Sequence, residues 1–306
     1  MINRDVISND MSADVSENFI RENMPEILDI LLIDRTTSTP KKNRNIIWAN
    51  DNYIEHGFKH YGVTAQIKPA LITGCMGHII MPRALKSQDV RKDRTRTKAE
   101  VFTPIWIVKK QNDAVEQDYL NDDIKTYISR TWLEITCGEA PYMATRYDME
   151  TGNIIPINKR EGFVDRKLNR ISLEIHNKSE WQTLAILSYQ ASYGFEWNGD
   201  SLLLARENLL YTYRDHYIAK WQEEPSYEEL KHIAEIISYN IFQMDGINYV
   251  IPFSDLKKES IDKQLSFFDS DDKSILKNKN TGKRVKIMNW KTGKMVFFSK
   301  IGASNE

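Results

Sequence analysis

The chain has little of anything that marks a special class. Only two of its 306 residues are cysteine, Cys75 and Cys137, and they stand far apart. That excludes a disulfide framework or a zinc ribbon and fits a reducing compartment. Thirteen glycines and nine prolines are too few for a collagen-like or low-complexity chain. Neither sign of charge prevails. Lys and Arg number 42 against 43 Asp and Glu, so overall charge predicts no polyanion partner and any nucleic-acid surface must be local. No apolar run approaches the ~20 residues of a membrane span, and the start, Met1-Ile-Asn-Arg-Asp-Val6, has no apolar signal core. The expectation is a soluble, cytoplasmic protein with no membrane partner. No Gly-Lys-Ser/Thr occurs, which removes a phosphate loop for ATP.

What is present centres on Leu133-Glu-Ile-Thr-Cys-Gly-Glu-Ala-Pro-Tyr142. An apolar approach runs into a tight turn, the pattern of a buried strand handing over to a loop that passes close to a ligand. Gly138 can take backbone angles closed to other residues, and Ala140 leaves room for an approaching group. At the carboxyl end of a strand in an open α/β sheet such a turn is the usual ligand site.

Three further segments fall around it. Phe102-Thr103-Pro104 precedes an apolar-periodic stretch from Ile105, with Thr103 placed to cap a helix and Pro104 suited to its first turn. Ser192-Tyr-Gly-Phe-Glu196 reads as a short strand ending in an acid, followed by a turn and a helix; a carboxylate there can accept from both hydroxyls of a ribose. Ser238-Tyr-Asn-Ile-Phe-Gln-Met-Asp245-Gly246 reads as a third strand followed by an acid and a glycine, where Asp245 either accepts from an adenine amino group or simply closes a turn. Upstream lies a basic run with Arg83, Arg91, Lys92, Arg94 and Arg96. It is read either as a phosphate-contacting loop or as a solvated linker. Residues 67–81 suggest a hairpin, 146–168 an inserted hairpin or loop, and 285–298 a terminal hairpin around Thr292-Gly293. His56 and His60 have helical spacing but no third ligand, so we read two surface histidines and no metal site. Asp165-Arg-Lys167 faintly suggests a nuclease site but lacks a spaced partner acid, and reads as a polar loop.

With these four motifs in this order, the chain resembles the S-adenosylmethionine-dependent DNA adenine-N6 methyltransferases, and within them the bacterial modification subunits of restriction systems. The resemblance covers roughly residues 99 to 300. It implies a Rossmann-like methyltransferase sheet, S-adenosylmethionine as cofactor and DNA as partner. Phe102, Thr103 and Pro104 would lie by the methionine part of the cofactor, and Glu134, Gly138 and Ala140 would form its turn. Glu196 would hold the ribose and Asp245 the adenine ring. Arg91, Lys92, Arg94 and Arg96 would meet DNA. Two departures stand out. Glu139 replaces a small residue, and it would repel the cofactor carboxylate unless it points away. The Asn/Asp-Pro-Pro-Tyr/Phe tetrapeptide on which adenine-N6 transfer depends is absent, because none of the nine prolines is followed by another.

The expected class is α/β: an incomplete Rossmann-like sheet with an N-terminal α+β region. The divisions are an arm (1–17), the N-terminal region (18–98), a cofactor-binding half-domain (99–253), a connector (254–284) and the hairpin (285–306). In this reading the strand near Leu133 lacks one neighbour, and a partner chain supplies the catalytic tetrapeptide and target recognition. Catalytic residues stay unassigned. The alternative is a methyltransferase-like DNA-binding or regulatory protein that transfers no methyl group.

Overall fold

The computed structural model describes Ala13 and residues 16–98, 103–255 and 282–300. Its centre is a parallel sheet of three strands, β1 (Trp132–Glu134), β2 (Ser192–Glu196) and β3 (Ile241–Gln243), in the order β1-β2-β3. Parallel neighbours need long crossovers, and helices supply them. We number the helices in chain order: α1 (Glu17–Asn23), α2 (Pro25–Leu32), α3 (Phe58–Tyr61), α4 (Pro69–Ile72), α5 (Gln88–Lys98), α6 (Ile105–Glu116), α7 (Ile124–Ser129), α8 (Phe163–Glu174), α9 (Lys178–Gln190), α10 (Gly199–Trp221) and α11 (Tyr227–Asn240). The β1–β2 connection carries α8 and α9, and the β2–β3 connection carries α10 and α11. The protein is thus mixed α/β.

The pleat divides the sheet's side chains. Leu133 lies in register with Tyr193, and Phe195 with Phe242, on one face. A hairpin of β4 (Lys286–Asn289) and β5 (Lys294–Phe297) covers Tyr193, Phe195 and Phe242 with Val285, Ile287, Val296 and Phe298. The other face joins the main core with α8 to α11. Trp48, Ile27 and Leu31 belong to that same core, so the expected division at residues 98 and 99 does not separate two cores.

Several local expectations are corrected. Residues 67–81 form α4 and a 3-10 turn, Gly74–Met76, rather than a hairpin, because Pro69 opens a helix at its first position. Near the start of the chain, Pro25 removes a backbone donor, ending α1 and opening α2. Glu17, assigned to the arm, is buried in α1. Between residues 18 and 98 the described backbone holds helices and isolated bridges such as Ile33 with Asn45, but no strand, so the N-terminal region is not α+β. Asp165 and Lys167 lie buried in α8, not in a polar loop: Asp165 faces His216 and Thr145, and Lys167 donates to the Arg130 carbonyl. His56 and His60 are exposed. No described helix is long and apolar enough to cross a membrane.

Candidate functional site

The turn after β1 is built on alternation. Thr136, Gly138 and Ala140 have φ of 47°, 54° and 62°, so every second residue is left-handed. For Thr136 and Ala140 that costs roughly 1–2 kcal/mol each, and the surroundings hold it. Cys137 N–H donates to the Phe195 carbonyl at 2.8 Å, which fastens the turn to β2. The Glu134 carboxyl group accepts from the N–H groups of Tyr142 (3.1 Å) and Met143 (2.9 Å). Burial pushes the Glu134 carboxyl up to about 8, against the lowering effect of those two bonds. Glu134 therefore braces the turn from inside. Ala140 is fully buried as well, so neither presents a side chain to a ligand, as the resemblance had implied. Gly138 is different: a Cβ there would meet nothing within 4 Å, so the turn faces open space at that residue.

Glu196 ends β2 beside it. One carboxylate oxygen accepts from Gly138 N–H at 2.9 Å; the other accepts from the Asn198 backbone (3.0 Å) and side-chain amide (3.2 Å). Burial raises its pKa. The Glu196 carbonyl accepts from Met244 N–H at 3.0 Å, which places the end of β3 alongside. Asp245 follows and closes its own turn, accepting from the N–H groups of Ile247 and Asn248 and from the Asn248 side chain. Partial burial opposes its ionisation, but these donors outweigh it and leave the carboxyl below its usual value. The structure thus gathers Gly138, Glu196 and Asp245 at the carboxyl ends of three parallel strands. Glu196 already receives three N–H bonds, which leaves roughly one of its four lone-pair sites for a ligand hydroxyl.

Glu139 points into the protein: its buried carboxylate accepts from Arg83 N–H (2.8 Å) and the Tyr147 hydroxyl (2.6 Å). The repulsion expected from it is met by those donors. Pro104 precedes α6, and no side chain caps that helix, so the capping role read for Thr103 is not taken. Phe102 lies outside the described residues.

Comparison with protein-family models, curated proteins and solved structures gave no match.

From Gln88 onward the basic run is a helix, α5, rather than a loop, and Arg83 lies in a preceding 3-10 turn. Arg94 turns inward, 3.5 Å from Asp200 at the start of α10 and over the Tyr53 ring, which withdraws it from the DNA-facing set. Arg91, Lys92 and Arg96 stay together on one wall of a cavity that Pro104 also lines. The sequence reading missed Asp200, Asn198 and the approach of the N-terminal segment. Gly199 carries that signal: a Cβ there would lie 2.0 Å from the Ile47 carbonyl oxygen.

β1 is the edge of the described sheet. Leu133 and Ile135 are 43 % and 65 % exposed. A groove of about 550 Å³ runs from Leu133 and Tyr193 to Met288 and Trp290 of the hairpin. The hairpin roofs β2 and leaves the outer edge of β1 without a partner strand among the described residues.

Proposed function

We propose that this chain is the S-adenosylmethionine-binding half of a DNA adenine-N6 methyltransferase, a modification subunit whose Rossmann-like sheet is completed by a second chain. The observation that carries the reading is the meeting of Gly138, Glu196 and Asp245 at the carboxyl ends of β1, β2 and β3, with open space before Gly138. That end of a parallel sheet is where nucleotide-type ligands bind. When bound, the cofactor supplies an electrophilic methyl group on sulfur. Gly138 lets its body approach the turn, Glu196 accepts from a ribose hydroxyl, and Asp245 accepts from the adenine amino group. The exposed edge of β1 supports the partner, because an unpaired apolar edge invites a further strand. That partner brings the Asn/Asp-Pro-Pro-Tyr/Phe acceptor for the flipped adenine, which this chain lacks.

The test is calorimetric titration of the purified chain with S-adenosylmethionine, beside Glu196→Ala and Asp245→Ala. Micromolar binding that both variants weaken at least tenfold is expected. The second reading, a DNA-binding or regulatory protein without methyl transfer, is favoured by one observation: Glu196 is largely occupied by the chain's own N–H groups. A folded chain that binds DNA and gives no heat at millimolar cofactor, alone or with its partner, would establish that reading instead.

A further inference from the structure

Helix α5 has two different faces. Gln88, Arg91, Lys92, Thr95 and Arg96 follow the spacing i, i+3, i+4, i+7, i+8, which is one side of an α-helix. All five line a single cavity of about 640 Å³, together with Arg83, Pro104 and residues 148–150. Arg94 projects from another side and anchors the helix on Asp200. The cations of the cavity face are therefore held on an anchored helix, not on a solvated linker.

Among the described residues, Arg91, Lys92 and Arg96 form no side-chain ion pair; Arg91 donates to the Glu150 carbonyl at 3.1 Å. The lining sets four cations, Arg83, Arg91, Lys92 and Arg96, against two acids: Asp148, which accepts in its own turn from the N–H groups of Glu150 and Thr151, and the exposed Glu150. The cavity is thus cationic along α5. From residue 88 to 96 the helix rises about 12 Å, roughly the axial rise of three to four nucleotides of one strand.

We infer that this face of α5 is a phosphate-binding track for a nucleic-acid backbone, with Arg91, Lys92 and Arg96 as the groups that bind it. Its wall is joined to the cofactor turn, since Arg83 N–H donates to Glu139, the neighbour of Gly138. The track would therefore hold the backbone beside the proposed methyl-transfer site. The choice of DNA as the nucleic acid rests on the proposed function; the track itself does not.

The experiment is anisotropy of a labelled DNA duplex over a series of salt concentrations. It compares the full chain, Arg91→Ala/Lys92→Ala/Arg96→Ala, and Lys41→Ala/Lys42→Ala/Lys68→Ala. The last removes the same charge from exposed positions elsewhere. Removing one cation that neutralises a phosphate should lower the slope of log affinity against log salt by about 0.9. The α5 variant should lose a slope of about 2 to 3, and the control less than removal of a single such cation would cause. Equal slopes in all three proteins, or an equal loss in the control, would overturn the inference. So would complete displacement of DNA by inorganic phosphate at the concentration of DNA phosphate, which would indicate a pocket for small anions. Slope loss in a chain that binds no S-adenosylmethionine, alone or with its partner, would leave the track standing and remove the methyltransferase reading.

Discussion

The two edges of the sheet are finished to different degrees. All three residues of β3 are buried. The Gln243 side chain acts as a short extension of the sheet, accepting from Ile47 N–H at 2.9 Å and donating to the carbonyls of Ile47 and Trp197 at 2.8 Å. The fully buried Arg206 donates to the carbonyls of Ile33, Ser238 and Ile241, and so ties α2, α11 and β3 to α10. At the other edge, Leu133 of β1 and Ile135 in the turn just after it are exposed, and the firm attachments of β1 run inward, through β2 and Glu134. The N-terminal region has closed one side of the fold, while the side toward β1 ends on apolar surface. That asymmetry is what a chain needing a second chain would show.

The comparison can be broken first at Arg206. Burial lowers its pKa to about 9, so it remains protonated at neutral pH. Arg206→Met should cost about 3 kcal/mol or more, because several buried carbonyls lose their donors together. Urea unfolding measures this, and a loss under about 1 kcal/mol would mean that the β3 edge is held by something else.

The attachment of β1 can be sharpened by pH. Glu134 has a folded pKa of about 8, above its ordinary 4.5. Between these values the folded chain keeps a proton that the unfolded chain releases, so rising pH favours unfolding. The contribution is fully present below pH 4.5 and is lost as pH rises through 8. Chemical unfolding at a series of pH values should show a stability loss of a few kcal/mol over that window. In Glu134→Gln the slope should flatten, even though the variant is less stable throughout. Parallel curves for the two proteins would place the ionised carboxylate in the folded state.

The smallest effect on stability belongs to the open edge. Ile135→Lys should leave the unfolding midpoint unchanged within about 0.5 kcal/mol, since the side chain is already 65 % exposed. The same change should reduce light scattering at high protein concentration, by placing a charge beside the open edge. A large destabilisation would mean that the edge is covered in solution.

The parts of this architecture that were readable in the sequence are local. Tyr193-Gly-Phe-Glu196 and Ile241-Phe-Gln243 are short apolar runs with an acid soon after, and both are strands of the parallel sheet. The Thr292-Gly293 turn joins β4 to β5 as expected. What was not readable depends on contacts between distant residues. A run of Arg, Lys and Asp looks solvated until one member, Arg94, finds Asp200 more than a hundred residues away. The Glu134 side chain looks like a strand-end ligand until the chain turns back and offers it two N–H groups. Arg206 sits in a helix without local sign that its donors reach back to Ile33. In the candidate site, sequence order named Gly138, Glu196 and Asp245, but the hydrogen bonds that already engage Glu196 and Asp245 come only from the folded turns.

The most direct test of the central claim is amide NMR of the isotope-labelled chain during titration with S-adenosylmethionine. The account predicts saturable shifts at Gly138, Asn198 and Ile247, whose N–H groups are bonded to Glu196 or Asp245. Amides of the β4–β5 hairpin should stay in place. If these three amides do not move at saturating cofactor, in the chain alone and in complex with its partner, the carboxyl ends of this sheet are not an S-adenosylmethionine site.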